Sequence, residues 1–244
     1  MRLLRSSEAS TVSHAVEADT VMHLMCFSPQ ADVVGGLVVT GIGIDVLKHV
    51  KGRRQYMALA ALPLMLGMHQ LVEAFEWWGL QGHLSSHVGH VATWIYLVFA
   101  FVVLPLYLPL AVLLLEPAGR RRTAMVPFVA LGAAVSAILL AAMVRGPVVA
   151  ELAHYHLTYT IDLRAGGLVV TAYVIATCGS LVFSGHHDIA LFGWVNLVAV
   201  ALLARLAIDG FASLWCGWAA ITSGAFAIHL RYGRGRAAIV SAAV

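Results

Sequence analysis

Apolar residues fall into seven runs separated by short polar breaks, covering 31–47, 55–80, 88–115, 124–144, 166–183, 189–206 and 211–230. Runs near 20 residues are long enough to cross the hydrocarbon core of a bilayer as a helix. The pattern predicts an all-α fold, a polytopic transmembrane bundle of about seven helices spanning 25–231. The first run is short and rich in glycine (Gly35, Gly36, Gly41, Gly43), which favours close helix contact. Pro63, Pro105 and Pro109 predict kinks in the second and third helices. Residues 1–24 are polar and lack the apolar core of a signal peptide. They read as a disordered extension or a mis-assigned start, and 232–244 as a short basic cytoplasmic tail.

Composition strengthens this picture. The 244 residues are 61% hydrophobic and 11% charged, and mean hydropathy is +0.87. A soluble domain of this size needs far more polar surface. No polar stretch is large enough for a separate soluble domain. The expected partner is the lipid bilayer, in a multi-pass protein of the cell membrane.

Charge placement adds an orientation. Ten of the 15 Lys and Arg residues form three clusters: Lys48, Lys51, Arg53 and Arg54; Arg120, Arg121 and Arg122; Arg231, Arg234 and Arg236. They follow the first, third and seventh runs, so all three share one side. The positive-inside rule makes that side cytoplasmic, with the N-terminus outside and the C-terminus inside. No basic stripe with interleaved aromatics suggests nucleic-acid binding.

The candidate chemistry is polar groups where lipid should exclude them. His69, Glu73 and Glu76 stand at i, i+4, i+7 in the second run, on one helix face. Each ionisable group costs about 2.5–3.5 kcal/mol at mid-helix, so this face should turn inward, in the outer half of the bundle. Met65 and Gln70 lie near the same stripe. His83, His87 and His90 repeat that spacing at the start of the third run. His154 and His156 alternate as in an extended segment, near Tyr159 and Asp162. Cys216 sits beside Trp215, and Cys26 precedes the first run on the same side. Six of the 12 histidines therefore map to the outer half. Imidazole, carboxylate and thiolate bind copper, iron and zinc, so a transition metal is the expected cofactor, with Glu73, Glu76, His154, His156, His69, Cys26 and Cys216 as ligands. His83, His87, His90, Tyr159 and Asp162 would support it.

Simpler roles compete with each assignment. His69 and Glu73 form an i, i+4 pair that a purely structural hydrogen bond explains. His83, His87 and His90 suit the membrane interface, and His154 and His156 suit a wet loop. Cys178 and Cys216 suit packing, and Trp77 and Trp78 suit an aromatic belt. His186, His187 and Asp188 read as a solvated turn and helix start.

The residues Met25-Cys26-Phe27-Ser28 carry a resemblance. So do the stretch from Leu62 to Glu73, the stretch Leu113 to Pro117, His154-Tyr155-His156, and Leu214 to Trp218. The chain resembles an uncharacterised family of bacterial polytopic membrane proteins, a domain of unknown function whose members begin Met-Cys-Phe-Ser. The resemblance implies Met25 as the natural start and implies no activity. The sequence departs from the family's pattern at His69, where Gln is usual, and at Ala74, where Gly is usual.

Three functions follow as expectations. The first is a membrane metalloprotein, an oxidoreductase or metal handler. The second is a small proton-coupled transporter of a small molecule or ion, in which Glu73 and Glu76 titrate. The third is a membrane-embedded hydrolase, for which no Gly-x-Ser-x-Gly motif is present. A di-iron desaturase is excluded, because His83/His87 and His186/His187 fall on opposite faces of the membrane.

Overall fold

A computed structural model describes residues 28–50, 54–152, 157–163, 165–206 and 214–228. The extension 1–24, Cys26, His154, His156, the start of the seventh run and the basic tail lie outside the described residues. The described chain forms an all-α bundle of seven helices. They are α1 (Pro29–His49), α2 (Arg54–Leu80), α3 (Ser86–Leu115), α4 (Arg120–Arg145), α5 (Gly166–Val182), α6 (His187–Leu206) and α7 (Leu214–Ile228). Five of them, α1 to α4 and α6, are long and apolar enough to cross a membrane; α5 and α7 are shorter. Between α4 and α5 stands a feature not expected in the runs, an antiparallel hairpin of β1 (Val148–Leu152) and β2 (Leu157–Ile161). Its register pairs Val148 with Ile161 and Ala150 with Tyr159.

Local sequence explains the helix ends. Ser28 caps α1 by accepting the Ala31 N–H at 3.3 Å, with Pro29 in the first turn where its missing donor costs nothing. Ser85 caps α3 in the same way through the Val88 N–H.

Helices α1 to α4 run antiparallel in succession, as their close contacts show. A methyl added at Gly36 would come within 2.9 Å of the Gly67 carbonyl, and one at Gly67 within 2.5 Å of the Thr40 nitrogen. Gly43 lies equally tight against Leu64, whereas Gly35 and Gly41 face open space. The glycine-rich α1 therefore uses two of its four glycines for the α2 contact. Gly79 and Gly89 bring α2 and α3 together near the hairpin.

The expected kink at Pro105 takes the form of a π-turn over Phe99–Val103. Such turns leave carbonyls to be satisfied from outside the helix. Tyr173 of α5 donates to the Ala100 carbonyl at 2.7 Å, and Ser136 of α4 donates to the Val102 carbonyl at 2.7 Å.

The packing inverts that of a soluble protein. Asp32, His69, Gln70, Glu73 and Glu76 are buried, while Val34, Leu37, Val144, Leu168, Leu191 and Leu202 are more than half exposed. An apolar exterior around an apolar interior that also holds these polar groups suits lipid as solvent. The bundle has two distinct ends. Lys48 and Arg120 to Arg122 stand at one, and the hairpin with the α2–α3 turn at the other.

At the basic end, Glu116 caps α3 and joins it to the α5–α6 turn. Its Oε1 accepts from the Ser184 hydroxyl and the Gly185 N–H, both at 2.7 Å, with His186 Nδ1 at 3.5 Å. Burial raises the Glu116 carboxyl, but these bonds outweigh it and hold the group below its ordinary value. The 30-residue α3, roughly 45 Å at 1.5 Å per residue, separates this cluster from His87 at its other end. The two histidine pairs of a desaturase thus stand at opposite ends.

Candidate functional site

Four polar residues of α2 lie within eight positions and point two ways. His69, Glu73 and Glu76 turn towards α3 and the hairpin, while Gln70 turns towards α1. Glu76 has no exposed surface, and Glu73 is 1% exposed. A carboxyl at such a place needs donors for its oxygens. Thr93 of α3 donates to Glu76 Oε1 at 2.7 Å, and Tyr159 of β2 donates to Oε2 at 2.9 Å. The hairpin therefore supplies a donor that the helices do not.

Aromatic rings hold this geometry. His69 stacks on Tyr96 at 4.1 Å and 17°, with Phe99 4.5 Å away on α3. Tyr96 stacks in turn on Tyr159 at 5.1 Å and 20°. Burial, then the charges of Glu76 and Glu73, push the Tyr159 phenol well above its ordinary value. It stays protonated and remains a donor. Cys216 of α7 is buried against Tyr96 and Tyr173.

Beside this network lies a cavity of about 390 Å³. Tyr159, Tyr173, Trp215 and Cys216 form its polar and aromatic wall, and Phe101, Leu139 and Val169 its apolar one. Tyr159 thus belongs to both the carboxyl network and the cavity.

Residues 25–242 match the Family of unknown function (DUF6629), almost the whole chain. The chain belongs to that family. No curated protein and no solved structure matches it.

Within this DUF6629 chain, several expected site residues part company. His83, His87 and His90 are exposed, and His83 lies in the turn before α3 begins, so the three do not share a helix face turned inward. Asp162 is exposed, at the foot of the hairpin. Among the described residues, no three His, Cys, Asp or Glu side chains gather as a metal would require. Trp77 is buried against Asp32 and so is not presented outward as a belt residue would be. His186 leans on Glu116, while His187 is the solvated residue expected there.

Asp32, Thr93 and Tyr96 escaped the sequence reading. Asp32 is 2% exposed and accepts from Gln70 Nε2 at 3.2 Å. Its signal was an acid inside an apolar run, masked by its position in the first turn of α1, where acids are common.

Proposed function

We propose that this is a multi-pass protein of the cell membrane that couples binding of a small molecule to protonation of the Glu73/Glu76 network. The observation that carries the reading is the double role of Tyr159, which donates to Glu76 and walls the cavity. A ligand in the cavity that takes the Tyr159 hydroxyl leaves Glu76 Oε2 without its donor. A buried carboxylate deprived of a donor is costly, so ligand entry favours proton uptake by Glu76, and proton loss favours ligand exit. The lining favours a molecule with an apolar body and one hydrogen-bond acceptor. The basic end faces the cytoplasm in this reading, which places the network near the outer surface.

The test uses the full chain in proteoliposomes with an imposed pH gradient followed by an entrapped dye. The probes are small aromatic and aliphatic ketones and alcohols. At least one should dissipate the gradient faster than in empty vesicles. Glu76→Gln should abolish that, and Glu116→Gln at the other end should not. Equal rates in wild type and Glu76→Gln would sink the proposal.

A metal centre is the second reading. It needs ligands from outside the described residues, among which no three such side chains gather. His154 and His156 lie between the two hairpin strands in the sequence and would have to complete the ligand set. Elemental analysis of the untagged, detergent-purified protein tests it. About one equivalent of copper, iron or zinc, lost in Glu73→Gln, would favour the metal.

A further inference from the structure

Asp32 packs against the flank of α2 that carries Gln70 and Trp77, roughly a third of a turn around the helix from Glu76. Its carboxyl is buried between α1 and α2, and Gln70 is 4% exposed beside it. One hydrogen bond joins them, from Gln70 Nε2 to Asp32 Oδ1. Two acceptors of the same pair, Asp32 Oδ2 and Gln70 Oε1, are buried with no hydrogen-bond partner. Two buried acceptors without donors on adjoining side chains are unusual, because each is costly away from water.

Counting donors narrows the explanation. An ionised Asp32 and Gln70 together present three acceptor atoms. The donors beside them are the amide of Gln70 and the indole of Trp77, which lies against the carboxyl. An amide cannot donate to its own oxygen, and the indole has a single N–H, so with Asp32 ionised at least one of Asp32 Oδ2 and Gln70 Oε1 stays unsatisfied. One proton on Asp32 Oδ2 changes the count. The acid O–H then donates to Gln70 Oε1 while the amide N–H donates to Oδ1. The result is a cyclic acid–amide pair with two hydrogen bonds.

The surroundings agree. On α1, Asp32 is the only acid between Ser28 and Asp45, which lies more than three turns away. On α2, His69, Glu73 and Glu76 face α3 and the hairpin. From α7, Gly224 meets Val39 and Ile42 with no charge. No cation among the described residues neutralises Asp32. The first turn of α1 favours an anion, but that effect is weaker than the burial of an unpaired charge.

We infer that Asp32 is a proton-binding site inside the bundle, its proton shared with Gln70 in a cyclic acid–amide pair. Asp32 and Gln70 are not among the hydrogen-bond donors to Glu76, which are Thr93 and Tyr159, and the inference stands whether or not that network couples to a ligand. It gives the bundle a second place to hold a proton, between α1 and α2.

Infrared spectroscopy of the full chain in lipid nanodiscs tests this. At neutral pH a protonated-carboxyl band should be present and shift in D₂O. It should be lost in Asp32→Asn and kept in Glu76→Gln, so a failure here and a failure of the Glu76 reading are told apart. Asp32→Asn should fold, because an Asn–Gln pair repeats both hydrogen bonds. Gln70→Leu gives an independent reading: the band should move to higher frequency as the acid loses its acceptor. A band unchanged in both variants would overturn the inference. So would a band discharged by added sodium or potassium, which would make this a cation site instead.

Discussion

Replacing Tyr159 with Phe removes one hydroxyl and leaves the ring that stacks on Tyr96. The hydroxyl's partner is Glu76 Oε2 at 2.9 Å, on a side chain with no exposed surface. Hydrogen bonds to a charged group contribute about 1.5–3 kcal/mol, against about 0.5–1.5 kcal/mol for neutral pairs. Tyr159→Phe should therefore cost about 1.5–3 kcal/mol in the wild-type background. In a Glu76→Gln background the partner is neutral, and the same change should cost about 1 kcal/mol less. The assay is unfolding in mixed micelles titrated with a denaturing detergent, read by circular dichroism for both single variants and the double. Because the phenol is held well above its ordinary value, the coupling should not fade on the mildly alkaline side. Additivity within roughly 0.5 kcal/mol would refute the reasoning, since a hydroxyl that does not sense the charge on Glu76 cannot relay ligand binding to it.

Gly67→Ala places a methyl 2.5 Å from the Thr40 nitrogen and should destabilise the same unfolding by about 1–3 kcal/mol, whereas Gly35→Ala, facing open space, should be neutral or stabilising. Glu116 is held below its ordinary value of 4.5, so it contributes stability above that value that is lost as pH falls through the folded one. Glu116→Gln should be less stable at neutral pH by about 1–3 kcal/mol and show a shallower loss in acid. Parallel acid limbs would refute the role given to Ser184, Gly185 and His186.

The seven runs of the sequence became seven helices with nearly the same limits, because an apolar run of span length has few alternatives in lipid. The stripe His69/Glu73/Glu76 was legible for a related reason: a charged face in a span must turn inward. What it turns towards was not legible. Thr93 and Tyr96 are ordinary residues in the sequence, and only the antiparallel α2–α3 packing at Gly79 and Gly89 brings them to Glu76 and His69 respectively. The spacing of His83, His87 and His90 is identical to that of the buried stripe, yet they are exposed. Periodicity names a face, and the depth of that face decides whether burial follows. At the hairpin, β1 and β2 are too short for apolar periodicity to announce them. Their pairing is a tertiary fact, and so is the arrival of Tyr159 at the bundle.

The hairpin in an otherwise helical bundle has a physical rationale in Glu76. A buried carboxylate has two oxygens to satisfy. The helix facing α2 offers Thr93 for one; the other needs a donor from a different direction. A strand folded over the end of the bundle provides it. Strand edges cannot face hydrocarbon, where their N–H and C=O groups would go unpaired, so a two-stranded hairpin must lie at or near the membrane surface. Its hydrogen bond to Glu76 then fixes the depth of that carboxyl close beneath the same surface. Asp32, in the first turn of α1, lies at the same end. Both carboxyls thus sit at the hairpin end, while the basic end, closed by Glu116, Ser184 and Gly185, has no buried acid beyond the one that seals it among the described residues.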